Sequence, residues 1–186
     1  MILLVDLCHR ENSLGYEEFI LPIQRIAGQS VFPVRAAHYS RLKEGDVKSA
    51  RGIILCGTPL ADNQFISDAR DLSRLLSCRV PLLGICAGME ALALVYGGEL
   101  AVCPEIGMRK VRMTGNDPLF KGIPEFDAYE LHSFSCSAPQ EFRVLAESDT
   151  CVQVIRHRVF PHYGVLFHPE VRNEWVVERF LSILPV

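Results

Sequence analysis

The sequence predicts an α/β fold: a mostly parallel central sheet flanked by helices, with additional strands in the second half. Three observations predict it. Short apolar runs of strand length recur at Ile2 to Leu7, Gly52 to Cys56 and Val80 to Ile85 without polar alternation, as strands buried on both faces require. Stretches with helical apolar spacing separate them, the order that builds βαβ units. The run at 80–85 then enters Gly84-Ile85-Cys86-Ala87-Gly88 and continues as an apolar helical pattern ending at Gly97-Gly98. That is a strand–turn–helix elbow with a cysteine at its apex.

In chain order, Ile2 to Leu7 is the first strand and Cys8 to Gly15 a polar loop. Phe19, Ile20, Ile23, Ile26 and Ala27 give Glu17 to Ala27 a helical period, with Pro22 near its start and Gly28 at its C-cap. Ser30 to Ala36 reads as a second strand and Gly52 to Cys56 as a third, ending at Gly57-Thr58-Pro59. Asp62 to Ser77 is a helix with Phe65, Ile66, Ala69, Leu72, Leu75 and Leu76 on one face. Val80 to Ile85 is the fourth strand. Lys110 to Met113, Ala128 to Cys136, Arg143 to Ala146, Cys151 to Arg156 and Tyr163 to Phe167 read as short strands. Asn116 to Gly122 is a turn or short helix, and Glu174 to Leu184 an amphipathic closing helix. With no repeat or linker, residues 1–186 read as one domain.

Composition narrows the function. The chain has 186 residues, 49% of them hydrophobic, and a net charge of −3, which suits a folded core and points to neither nucleic acid nor a membrane as partner. Met1 to Asp6 reads as a strand and lacks the basic start of a signal peptide. Seven scattered cysteines without a CxxC pair favour no disulfide framework or zinc site, so a reducing cytoplasm is expected and no metal or cofactor.

Chemistry converges on Cys86. Gly84 and Gly88 suit a turn with no room for Cβ atoms, and the helix N-terminus behind the sulfur favours a thiolate. A thiol nucleophile needs a base and an oxyanion site. His168 closes the run Tyr163 to Phe167 and is followed by Pro169-Glu170, so Glu170 is positioned to orient the imidazole. Backbone N–H groups of Ala87 and of the loop 57–59 are the candidate oxyanion donors. Cys8, Cys56, Cys78, Cys103, Cys136 and Cys151 read as small core hydrophobes. His9, His38, His157 and His162 read as surface or loop residues, and His132 as lining or supporting the site.

The segments ILCGTP at 54–59, PLLGICAGME at 81–90 and YGVLFHPE at 163–170 together resemble the class I, triad-type glutamine amidotransferases. The resemblance runs from the first strand to the last helix and implies that family's flavodoxin-like fold. It implies a Cys86–His168–Glu170 triad, oxyanion donors at the N–H of Thr58 and Ala87, and substrate contacts at Gly57, Glu90 and His132. The implied activity is hydrolysis of the glutamine side-chain amide through a Cys86 thioester, with ammonia passed to a synthetase. The stretch 151–164 is most similar to the glutaminase subunit of GMP synthases, which archaea keep as a separate chain. No ATP-pyrophosphatase phosphate loop occurs here, so a separate ATP-dependent synthetase is the implied partner. Glu90 stands where the family usually has Gln. Members that hydrolyse γ-glutamyl peptides carry Glu there, which makes a stand-alone γ-glutamyl amide or peptide hydrolase the alternative.

Overall fold

The computed structural model describes residues 1–76 and 79–185, with side chains except at positions 70, 71 and 74–76. The expected helix end at Ser77, the facing side chains of Leu75 and Leu76, and Cys78 lie outside the described residues. The strands are β1 (Ile2–Asp6), β2 (Val34–His38), β3 (Gly52–Leu55), β4 (Leu82–Ile85), β5 (Leu100–Met113), β6 (Glu125–Cys136), β7 (Phe142–Glu147), β8 (Val152–His157) and β9 (His162–Val165). They form one sheet in the order β2-β1-β3-β4-β9-β8-β7-β5-β6.

The sheet changes character along its width. β2, β1, β3, β4 and β9 run parallel, while β8, β7, β5 and β6 extend the sheet through antiparallel pairings. The parallel half is the α/β unit the apolar runs announce. The added strands of the second half join the same sheet and build no second layer.

Side-chain alternation sorts the core. Ile2, Leu4, Ile54 and Leu83 point to one face, where they meet α1 (Leu21–Ala27) and α6 (Trp175–Ser182) through Ile23, Ile26, Val177 and Phe180. Leu3, Val5, Ile53 and Leu82 point to the other, covered by α2 (Glu44–Ser49), α3 (Gln64–Leu76) and α4 (Ala87–Val95) through Val47, Phe65, Leu72 and Leu92. Both faces of the parallel strands are therefore buried, which is why they read as continuous apolar runs. Among the described residues no helix is long and apolar enough to cross a membrane.

Several elements differ from the sequence reading. A π-helical turn at Tyr16–Ile20 leads into α1, placing Pro22 in the first turn, where its missing N–H costs nothing. The second strand starts at Val34 instead of Ser30. α2 was not anticipated, because Val47 is its one buried residue. β5 is much longer than Lys110 to Met113: it begins at Leu100 and pairs with β6 along most of its length. Its outer residues are solvent-facing, with Val102, Ile106 and Met108 exposed, so it carries no clean period-two apolar signal. His38, His157 and His162 are buried, not on the surface as their loop-like settings suggested. His38 Nε2 lies 2.6 Å from the Cys8 carbonyl, and His157 and His162 stack with Tyr96 in an aromatic cluster. His9 is exposed.

Candidate active site

The parallel strands β3 and β4 end side by side, and β9 lies next to β4, so the three sequence motifs meet at one sheet end. Active sites of open α/β sheets form at such carboxyl ends. Cys86 is the N-cap of α4 and has φ 49° and ψ −109°. Among the described non-glycine residues only Asn12 shares a positive φ. Such backbone is almost reserved for glycine and costs about 1–3 kcal/mol.

The flanking glycines explain how the elbow fits. A Cβ at Gly84 would stand 2.5 Å from the Gly88 carbonyl oxygen, and a Cβ at Gly88 would stand 2.2 Å from that of Leu55. The nucleophile turn is thus pressed directly onto β3 and β4. Thr58 does not carry a positive φ, so its side chain imposes no backbone strain. Its hydroxyl donates to the Asp62 carbonyl at 3.0 Å, tying the loop down. Ala87 is the first residue of α4, and its N–H therefore has no acceptor within the helix.

His168 follows β9 and caps the short helix α5 (Pro169–Arg172), which turns the chain so that Glu170 folds back. Its Nδ1 lies 2.8 Å from Glu170 Oε1, and both side chains are almost wholly buried. The Tyr129 carbonyl accepts the backbone N–H of His168 at 2.9 Å, and the Phe19 ring packs against the imidazole at 5.4 Å. Nε2 has no hydrogen-bond partner among the described residues. The Cys86 thiol instead donates to the Leu131 carbonyl at 3.6 Å. The resting thiol proton is thus held by backbone, with His168 beside it.

Electrostatics fits that resting state. Burial pushes the Cys86 thiol above the ordinary cysteine range, and His168 pulls the other way without overcoming it. The helix N-terminus does not by itself make a resting thiolate here, contrary to the sequence expectation. Burial would lower His168, but the neighbouring Cys86 sulfur and the Glu170 carboxylate raise it well above an ordinary histidine. With Cys86 held as thiol, Glu170 supplies the part of that effect that persists.

Thr58, Cys86, Ala87, Glu90 and His132 line one pocket together with Leu60, Asn63 and Phe134. Its cavity is about 10 Å³, room for about one water molecule. Gly57 does not line it. A Cβ there would stand 2.9 Å from His168 Cε1, so the glycine makes space for the imidazole and not for a ligand. Leu131, Tyr129 and Phe19 are site residues that sequence reasoning missed. The first two act through backbone carbonyls, which no residue type announces, and Phe19 looked like an ordinary helix-face apolar residue.

Glu90 is 3% exposed, and burial raises its carboxyl to about 7, opposed by His132 and His168. Its folded pKa lies above the unfolded value of 4.5, so the folded chain holds the proton more tightly and stability falls as pH rises between those two values. Above pH 7 the cost reaches about 3 kcal/mol. Glu90→Gln is expected to remove it. Urea midpoints should show the variant more stable than the parent at pH 8 and the difference shrinking toward pH 5. Equal midpoints across that range would contradict the buried-carboxylate reading.

Similarity to known proteins points the same way as the geometry. A family model for glutamine amidotransferase class I matches residues 17–179. The separate glutamine-hydrolysing subunit of GMP synthase from Methanocaldococcus jannaschii is 40% identical over 131 residues, covering 68% of each chain. The corresponding subunit from Archaeoglobus fulgidus is 34% identical over 146 residues, 75% of this chain and 78% of that one. A crystal structure described as a GMP synthase subunit from Thermoplasma acidophilum superposes with a TM-score of 0.84 at 23% identity, covering 98% of this chain and 92% of the other. At that identity it speaks for the fold alone.

Proposed function

This chain belongs to the class I glutamine amidotransferases, and from that premise we propose that it hydrolyses the side-chain amide of glutamine to glutamate and ammonia for a separate ATP-dependent synthetase of the GMP synthase kind. The observation that carries the reading is Cys86, strained at the apex of its elbow beside an imidazole already paired to a carboxylate. Rotation of the Cys86 side chain would exchange the Leu131 carbonyl for His168 Nε2. His168 then takes the thiol proton as sulfur attacks the amide carbon. The N–H groups of Ala87 and Thr58 are the donors suited to the developing oxyanion. His168 returns the proton to the departing nitrogen, which leaves as ammonia, and the γ-glutamyl thioester remains. Water attacks next and gives its proton to His168, and glutamate and the free thiol are released. Glu170 keeps the imidazole in the tautomer that both steps need.

The narrow pocket supports dependence on a partner. A glutamine side chain does not fit about 10 Å³, so the walls formed by 58–65 and 131–134 have to part before it enters. Ammonia release from glutamine is expected to be slow for the isolated chain and to rise at least tenfold when the synthetase subunit and its ATP and acceptor substrates are added. Full-rate turnover by the isolated chain would remove partner dependence from the proposal.

Glu90 favours a second reading. Its buried carboxylate borders the pocket, where ionised it would attract a substrate α-ammonium. A stand-alone γ-glutamyl hydrolase would cleave γ-glutamyl amines faster than glutamine with no partner present. Comparing kcat/KM for the two substrate types on the isolated chain decides between the readings.

A further inference from the structure

Beyond the pocket wall, His132 belongs to a second group of side chains that glutamine hydrolysis does not use. Glu105 on β5 is the registered cross-strand partner of His132 on β6, and Glu130 precedes His132 by two residues and so shares its face. The turn before β8 brings Cys151 to them. Glu105, Glu130 and His132 are 3%, 0% and 2% exposed, and Cys151 is partly buried.

The separations within the group are unusual. Cys151 Sγ is 3.4 Å from Glu105 Oε2, His132 Nε2 is 3.5 Å from the same oxygen, and His132 Nε2 is 3.3 Å from Glu130 Oε2. Charge-assisted hydrogen bonds are shorter, about 2.7–2.9 Å. Both oxygens of Glu130 and both ring nitrogens of His132 lack an aligned hydrogen-bond partner among the described residues. Gln153 Nε2 reaches only to 3.5 Å from Glu105 Oε2 and 3.4 Å from Cys151 Sγ. Four ligand-bearing side chains therefore converge without satisfying one another.

These spacings suit a tetrahedral metal. Bonds of about 2.3 Å to sulfur and about 2.0–2.2 Å to nitrogen and oxygen give tetrahedral edges of about 3.3–3.6 Å. One ligand atom each from Glu105, His132 and Cys151 already lies within 4.8 Å of the other two. Charge also balances: two carboxylates and a thiolate against a dication and the Arg109 guanidinium, which is 2.9 Å from Glu105 Oε1, sum to zero. We propose that Glu105, His132 and Cys151, with Glu130 as fourth ligand, form a binding site for a divalent transition metal of the zinc type. On binding, the Cys151 thiol forms the metal–sulfur bond and gives up its proton to solvent. The donors come from different strands, so no short spacing in the sequence announces them. Because His132 also lines the pocket beside Cys86, the metal would fix one wall of that pocket.

The test uses the full chain loaded with cobalt(II) and with zinc. The expected result is one metal ion per chain by elemental analysis and, with cobalt, a thiolate charge-transfer band. Cys151→Ser should abolish the band and Cys86→Ser should keep it, which separates this site from the catalytic thiol. Glu130→Gln should weaken cobalt binding at least about tenfold. Absence of stoichiometric metal in the unaltered chain overturns the proposal without relying on any variant to fold. So does a band that survives Cys151→Ser and vanishes with Cys86→Ser.

Discussion

Cys86→Gly is expected to abolish glutamine hydrolysis and to be more stable than Cys86→Ala. Both variants remove the nucleophile, and losing the nucleophile of a comparable triad lowers kcat by about 10⁴- to 10⁶-fold. They differ in backbone. Alanine keeps a Cβ at φ 49° and ψ −109°, whereas glycine occupies that region freely. Relief of about 1–3 kcal/mol exceeds the usual entropic penalty of glycine, about 0.5–1 kcal/mol. The melting temperature of Cys86→Gly should therefore lie about 2–6 °C above that of Cys86→Ala. Activity is read as ammonia release with the synthetase present, and stability by thermal melting. A glycine variant no more stable than alanine would mean that the elbow stores no strain, and residual turnover near the parent rate would remove Cys86 as nucleophile.

Gly88→Ala is expected to prevent folding altogether. Its Cβ would meet the Leu55 carbonyl oxygen at 2.2 Å and the Leu55 carbonyl carbon at 2.8 Å, both main-chain atoms of a central strand. No side chain can swing aside, so α4 would have to lift from β3 and carry the elbow with it. A loss above about 4 kcal/mol consumes most of the net stability of a domain this size. Soluble yield and the urea midpoint both report it. Gly45→Ala is the matched control: nothing lies within 4 Å of the added methyl group on α2, and the change should stabilise by about 0.5–1 kcal/mol. Equal effects at the two positions would show that close approach at the elbow is not what Gly88 serves.

The parallel half of the fold was legible because burial on both faces leaves continuous apolar runs, and β1, β3 and β4 begin and end within two residues of the expected limits. β5 was not, since it projects Val102, Ile106 and Met108 into solvent and carries Pro104 and a left-handed Gly107 inside the strand. At the site, Cys86, His168 and Glu170 stand out because elbow glycines and a His-Pro-Glu strand end are local in sequence. Gly57 was misread: it flanks Thr58 in the loop, yet its missing side chain serves His168. The Glu105–His132 pairing depends on hairpin register, which sequence alone does not fix across a strand with a register shift at 102–105.

The position of β9 has a consequence for how the protein is made. β4 pairs in parallel with a strand about eighty residues later, Leu82 opposite His162, and that late strand sits in the middle of the sheet. During synthesis β1 to β4 emerge long before their neighbour, so the apolar edge of β4 stays open on the ribosome for most of translation. Pairing over such a separation is slow, and the half-made chain is the aggregation-prone species. His168 arrives just behind β9. The step that closes the open edge is therefore also the step that gives the thiol its base, and a chain cut short before it would carry Cys86 as an inert cysteine.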